Sequence, residues 1–277
     1  MKHKLSAACI AALLFLPGHP GLAAETNNVS TELGVLIMKV NNKLKQGKDT
    51  EKDLADEIKE YDTLLAKHKA EKTEEVAQIL GMKADLYLQV LNDPEKAAEA
   101  LKQLKQDFPQ SKFSQRADAR LQTLQQPIER RRIDRSLVAG VQFPGFDEKD
   151  LNGDPLTLAS YRGKVVLIDF WATWCPPCLI DLPQVLKVYE KYHSQGFEIV
   201  GVSLDDDRQK LQDFLKVKRM SWQQFFDGQR WDNKLAVQCG VNSTPATYLL
   251  DRDGRIIAKN LHAEELAEAV AKALAKK

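Results

Sequence analysis

Val165-Val166-Leu167-Ile168-Asp169-Phe170-Trp171, followed by Ala172-Thr173-Trp174-Cys175-Pro176-Pro177-Cys178, is the stretch on which the reading of this chain turns. The first seven residues are an apolar run with the length of a buried strand, and helix-compatible sequence follows from about Cys175 to Tyr192, interrupted at Pro183. Two cysteines separated by two residues at the start of a helix can close a small disulfide ring. The first thiol then meets unpaired N–H groups and the positive end of the helix dipole, which stabilise a thiolate. Reversible thiol–disulfide exchange requires that arrangement. The other chemistry open to Cys-x-x-Cys is zinc binding, but zinc takes four ligands, and neither a second such pair nor a suitable histidine pair follows. No metal is expected, and no cofactor beyond the redox-active Cys175–Cys178 pair.

At the other end of the chain, Met1-Lys2-His3-Lys4 is a short basic start, Leu5 to Leu16 an apolar run, and Gly21-Leu22-Ala23-Ala24 a small-residue segment. That is the outline of a secretory signal peptide over residues 1–24, too short for a membrane span, with cleavage after Ala23 or Ala24. An uncleaved anchor is the alternative. Cys9 lies inside the apolar run and is expected to leave with the signal. Its removal lowers the basic count from 40 to 38 against 39 acids, a net charge of −1. A near-neutral chain offers no electrostatic footprint for nucleic acid. No later segment reaches the roughly 18 apolar residues of a span. The expectation is an exported chain, periplasmic or otherwise outside the cytosol, and soluble after cleavage. Cys175, Cys178 and Cys239 are too few for a structural disulfide framework, and in an oxidising compartment the pair will be oxidised unless something reduces it.

From about Val29 to Gln126 the pattern is helical. Val29, Leu33, Leu36, Ile37, Val40 and Leu44 form one stripe, ended by Gly47; Leu54, Ile58, Tyr61 and Leu65 form a second; Val76, Ile79, Leu80, Leu86, Tyr87 and Val90 form a third. Asn92-Asp93-Pro94 marks a turn with Pro94 in a first helical turn, and Pro109 and Ser111 separate the next two helices. The segment from Asp93 to Leu124 resembles a tetratricopeptide-type hairpin, on its small alanines and on Asp107-Phe108-Pro109-Gln110-Ser111. An ordinary helical bundle accounts for the same alanines. Such a domain would bind a protein partner or position the redox domain. His68, among lysines, reads as a solvated residue. Pro127 to Arg135, with Arg130-Arg131-Arg132, reads as a solvated helix end or linker, or as an anchor for anionic lipid or a partner. The boundary falls near Leu137, giving a helical domain over 25–136 and a second domain over 137–277.

Beyond Leu137 the sequence alternates: an Asn152-Gly153 hairpin signal, the strand 165–171, a helix, a strand from Phe197 to Ser203, a helix from Asp206 to Lys218, a short strand from Trp222 to Phe226, and a short helix from Trp231 to Gln238. Strands Ala246 to Leu250 and Arg255 to Ala258 and a helix from about Ala263 to Leu274 close it. This is an α/β sheet with covered faces.

Residues 137–277 resemble the TlpA/ResA-like periplasmic thiol-disulfide oxidoreductases. The likeness rests on Phe143-Pro144-x-Phe146, Asp169-Phe170-Trp171-Ala172-Thr173-Trp174, Cys-Pro-Pro-Cys with Pro183 five residues on, Gly201-Val202-Ser203-Leu204-Asp205, and Gly240-Val241-Asn242-Ser243-Thr244-Pro245-Ala246-Thr247. The resemblance implies an α/β thioredoxin-like C-terminal domain preceded by an all-α helical domain, with segment 206–220 as extra βα material. It implies Cys175 as the exposed nucleophile, Cys178 as the resolving thiol, and a Pro176-Pro177 dipeptide that tunes redox potential. Asp169 matches the buried acid beneath the disulfide. Asp181 occupies a position where the family often carries glutamate, and its shorter side chain departs from that pattern. Both are candidate proton acceptors for Cys178. Thr244-Pro245 matches the cis-proline, with Thr244 pairing with a bound substrate strand, and Trp174 is an exposed rim for peptide contact. Trp171 is read as packing, and Cys239 as a third redox thiol or a small buried hydrophobe. The implied partners are cysteine-containing protein substrates, a membrane electron donor, and a protein partner for the N-terminal helices. The implied activity is reduction of protein disulfides. An oxidase or isomerase, a peroxiredoxin-type peroxidase, and an adaptor with an accessory redox domain are the alternatives.

Overall fold

The computed structural model describes residues 28–261 and 263–276. Residues 1–24, read from the sequence as a signal peptide, and Cys9 within them lie outside the described residues. Packing divides the described chain into two compact units, residues 28–93 with 99–115, and residues 94–98 with 116–276.

The first unit holds α1 (Asn28–Lys45), α2 (Ala55–Lys67), α3 (Glu74–Asp85), most of α4 (Pro94–Asp107) and the first turn of α5 (Lys112–Ser136). Its core takes Leu36, Leu54, Ile79 and Leu80 from the expected stripes, with Leu101 and Leu104 of α4, all fully buried; in the second stripe Leu64 is buried, whereas Leu65 and Ile58 are half-buried. Helix starts fall where capping chemistry puts them. Thr73 Oγ1 accepts from Val76 N at the start of α3, and Ser111 Oγ accepts from Ser114 N at 3.0 Å at the start of α5. His68 departs from the expectation of a solvated residue. It is buried, with Nδ1 2.7 Å from Glu71 Oε1 and Nε2 3.4 Å from Glu32 Oε2. The Glu71 contact raises its pKa against the opposing effect of burial, and Glu32 adds to the rise. Neighbouring lysines in the sequence say nothing about these two carboxylates, one of which arrives from another helix.

The second unit is built on β3 (Val165–Trp171), which is buried along its length except at Asp169. A near-continuous apolar strand needs cover on both faces and a central place in a sheet. The order is β5–β4–β3–β6–β7, with β4 (Phe197–Ser203) parallel to β3, and β6 (Ala246–Leu250) antiparallel to it on the other side. Strands β5 (Gln224–Phe225) and β7 (Ile256–Lys259) form the edges, and β1 (Asp147–Lys149) and β2 (Pro155–Thr157) make a separate hairpin turning at Gly153, φ 92°. The helices are α6 (Pro176–Tyr192), α7 (Arg208–Lys218), α8 (Lys234–Gln238) and α9 (Ala263–Ala275). Among the described residues no helix is long and apolar enough to cross a membrane.

Three local expectations are corrected. Helix α6 runs through Pro183 without interruption; the ring lies on an exposed face, and the helix absorbs one missing bond and the crowding of a carbonyl one turn back. The helix expected from Trp231 to Gln238 divides into a 3₁₀ turn, Arg230–Asp232, and α8. Asn233 stops the first and caps the second, its Oδ1 accepting from Leu235 N and Ala236 N at 3.1 Å. The stretch from Pro127 to Arg135 is a helix end, as one reading had it, and not a linker, but it is only partly solvated. It is the continuous C-terminal part of α5, packed within the second unit.

Asp134 accepts from the Tyr248 hydroxyl at 3.2 Å and pairs with Lys259 Nζ at 2.7 Å. Arg135 and Arg131 reach Glu95 at 3.0 and 3.5 Å. The seat for the helix is Gly240, at φ 67°, where an added Cβ would lie 2.1 Å from Arg130 O and 2.7 Å from Asp134 N. Both the left-handed backbone and the backbone contact exclude a side chain. Gly240→Ala is expected to destabilise the second unit by more than about 2 kcal/mol. Urea denaturation should show a lowered midpoint, and an unchanged midpoint would mean that α5 does not sit there.

Candidate active site

Cys175 is the N-cap of α6, with φ −94° and ψ 101°, and its Sγ accepts from Cys178 N at 3.3 Å. Pro176 and Pro177 occupy the first two helical positions, where the missing N–H costs nothing and the fixed φ suits the helix. Those prolines remove two of the first-turn donors, so the Cys178 N–H is left as the one that reaches Cys175 sulfur. The two sulfurs are bonded, at S–S 2.04 Å.

The expected exposure of Cys175 is not met in this state. Cys175 is 3% exposed and Cys178 6%. In the disulfide each sulfur shields the other, and both residues pack into the apolar core of the unit.

Below the disulfide lies a cavity of about 120 Å³ that brings together Asp169, Cys178, Asp181, Pro245, Thr247 and Asn260 among apolar walls. Strand β3 supplies Asp169, the second turn of α6 supplies Asp181, and the loop into β6 supplies Pro245, whose bond to Thr244 is cis. Four of the residues singled out in the sequence therefore line one space. Asp169 borders the cavity but is set deep among buried neighbours. Desolvation first, and then repulsion by the Asp181 carboxylate, pushes its pKa up to about 7. A carboxyl poised near neutrality, in the same cavity as a thiol, can take or return that thiol's proton.

Trp174 lies outside the cavity lining. It is 43% exposed and meets Trp231 edge-on, with ring centroids 5.9 Å apart. Trp171 is packing, as expected, and its Nε1 donates to Gln224 Oε1 at 3.0 Å. Gly201 makes room for that glutamine, since a Cβ there would fall 2.0 Å from Gln224 Oε1. Cys239 is buried and does not line the cavity, and burial pushes its thiol pKa up to about 12. That environment suits a small buried hydrophobe rather than a reactive thiol.

Asp205 is the positioning residue that sequence reasoning passed over, although its motif was in view. Buried, it accepts from Thr173 N at 3.1 Å, from Thr173 Oγ1 at 2.5 Å and from Ser203 Oγ at 2.8 Å. It thereby pins the turn that delivers Trp174 and Cys175.

The Redoxin family profile matches residues 138–275. The thiol-disulfide oxidoreductase ResA of Bacillus cereus is 30% identical over 120 residues, covering 43% of this chain and 68% of that protein. The chain belongs to the TlpA/ResA-like thiol-disulfide oxidoreductases. ResA of Geobacillus thermodenitrificans is 31% identical over 121 residues, covering 44% of this chain and 68% of the relative. Among solved structures, the thioredoxin domain of a thiol-disulfide oxidoreductase from Bacteroides vulgatus is 31% identical with a TM-score of 0.45, covering 49% of this chain and 97% of that one. With its β5–β4–β3–β6–β7 sheet and the Redoxin match, the second unit of this TlpA/ResA-like chain is a thioredoxin-like α/β fold preceded by helices, and the protein is a dithiol-disulfide oxidoreductase.

Proposed function

We propose that the protein is exported and reduces disulfides in other, cysteine-containing proteins. The observation that carries this reading is the Cys175–Cys178 pair at a helix start, with Cys178 lining the same cavity as Asp169. In the reduced enzyme the Cys175 thiolate attacks one sulfur of the substrate disulfide. A Cys175–substrate bond forms, the substrate bond breaks, and the leaving thiolate takes a proton from solvent. Cys178 then gives its proton to Asp169, with Asp181 lining the same cavity, and attacks Cys175 Sγ. The internal disulfide forms and the second substrate thiolate leaves. Two electrons have passed to the substrate, and the enzyme is left oxidised. Asp169 gives up the proton it took, and a dithiol donor at the membrane must return two electrons and one proton to restore the Cys175 thiolate and the Cys178 thiol for another turnover. Thr244 offers its backbone to the substrate strand beside cis-Pro245, and Trp174 meets the substrate at the rim.

The redox state in the cell tests the direction. Acid quenching followed by thiol alkylation is expected to find Cys175 and Cys178 mostly reduced, and to find them oxidised once the membrane donor is removed. A pair that stays oxidised in intact cells would make the protein an oxidant or isomerase and would overturn the reductant reading.

The first unit is proposed to hold a protein partner. Val35 and Met38, one turn apart on α1, are exposed apolar residues suited to that use. Because residues 94–98 and α5 from Arg116 onward pack within the redox unit, the informative deletion stops at residue 93. Retained disulfide exchange in vitro with loss of function in the cell is the expected result. Loss of exchange in vitro would place those helices in the catalytic unit instead.

A further inference from the structure

We propose that Arg130, in the helix ahead of the family-matched segment, positions a two-tryptophan rim that selects substrates with an apolar or aromatic side chain beside the reacting cysteine. The proposal rests on the reading of Cys175 as the attacking thiol and deepens it by naming a substrate class.

The geometry begins with one guanidinium. Arg130 Nη1 donates to Trp231 O at 2.6 Å and to Val241 O at 3.2 Å, and Nη2 donates to Asp232 Oδ1 at 3.0 Å. Its side chain is only 13% exposed, although Asp232 itself stands in solvent, and the bond to Val241 O is the one set partly below the surface. The three acceptors belong to two different loops. One is the turn carrying Trp231 and Asp232. The other runs from Val241 to the cis bond at Thr244-Pro245. Arg130 therefore staples together the two loops that flank the disulfide, since Trp231 packs on Trp174 beside Cys175, and Pro245 lines the cavity with Cys178.

The Trp231 turn needs such a staple. It is a single 3₁₀ turn, and Arg230 within it has φ 49°, a conformation that a residue with a side chain keeps only where its surroundings hold it. Arg230 Nε is tied to Asp206 at 2.8 Å on one side, and Arg130 holds the carbonyl of Trp231 on the other. So fixed, Trp231 stays 37% exposed and stands edge-on, at 62°, to Trp174. Two indoles held at that angle present a rigid apolar corner next to the attacking sulfur, and aromatic rings lose little conformational freedom on binding. A substrate cysteine flanked by phenylalanine, tyrosine or leucine fits this corner, whereas a small polar disulfide gains nothing from it. Gly240 belongs to the same device. It adjoins Val241, and its lack of a side chain lets the Arg130 backbone approach.

The test uses the reduced full chain and two probes, glutathione disulfide and a peptide disulfide with phenylalanine next to cysteine. The wild type is expected to prefer the peptide. Arg130→Ala and Trp231→Ala should each lower that preference about tenfold through KM, with the glutathione rate and the reduction potential unchanged. Arg130→Lys, which keeps the charge but cannot fork across three acceptors, should fall between. The double variant should lose clearly less than the two single losses combined, because both act on the Trp231 corner. Should Arg130→Ala fail to fold, Arg130→Lys and Trp231→Ala carry the comparison. An unchanged preference in these variants, equal losses on both probes, or additive losses in the double variant would overturn the proposal. A wild type that reacts with neither disulfide would remove the oxidoreductase reading itself, and the rim with it.

Discussion

Cys175→Ala is expected to lower disulfide exchange by about 10³-fold or more, whereas Cys178→Ala should keep the first exchange within a few-fold and stop there. The difference follows from where α6 puts each sulfur. Cys175 caps the helix, and its sulfur takes the one N–H that Pro176 and Pro177 leave within reach. That contact and the helix dipole favour its thiolate. Cys178 lies one turn in and faces the cavity of Asp169, so it is placed to resolve a bond rather than to begin one. Nothing replaces either thiol. Cys239 is buried, with a pKa raised to about 12 by desolvation, and holds too little thiolate at neutral pH to attack. Stopped-flow kinetics of the reduced variants against a protein disulfide separates the two steps. Equal defects in both variants would deny the assigned order.

Asp169→Asn should slow resolution of the mixed disulfide about 10²-fold, the lower range for a positioned acid or base, while leaving formation of that disulfide unchanged. In the wild type the resolving rate should rise as pH passes through about 7, where the carboxyl loses its proton. In Asp169→Asn that inflection should vanish. The same displacement carries a stability consequence of definite sign. The carboxyl titrates at about 7 in the fold against an ordinary 3.8, so between those values the folded protein holds a proton that the unfolded chain has released. The associated stability is fully present below about pH 4 and is lost as pH rises through about 7, on the order of 4 kcal/mol in all. Asp169→Asn should therefore flatten the stability of the oxidised protein across that window and be the more stable form at pH 8. Urea denaturation at several pH values checks this, and a wild type whose stability rises from pH 4 to 7 as steeply as that of Asp169→Asn would contradict it.

The parts of the site that read directly from sequence are those set by short-range rules. A near-continuous apolar run makes β3 central, the one acid within it stands out as a candidate for chemistry, and Cys-Pro-Pro-Cys after a strand must open a helix. The cis bond at Thr244-Pro245 came from the motif around it, since nothing local distinguishes it from an ordinary trans bond. What escaped was tertiary. Arg130 looks like one charge in a solvated basic run until its acceptors, 101 and 111 residues further along, are in place. Gly240 looks like a turn residue until α5 lies across it. Asp205 and Thr173 meet although they stand 32 positions apart in the chain. His68 misleads for the same reason, because Glu32 reaches it across 36 residues. The burial of Cys175 belongs to the oxidised state, and the motif alone does not say how closely a ring of two sulfurs packs into the core.

The central claim is that Cys175 attacks and Cys178 resolves. Mass spectrometry of Cys178→Ala, reduced, mixed with insulin and quenched in acid, tests it most directly. The account predicts one insulin chain attached to Cys175, lost on reduction, with Cys239 unmodified. No adduct, or an adduct on Cys239 with Cys175 free, would contradict it.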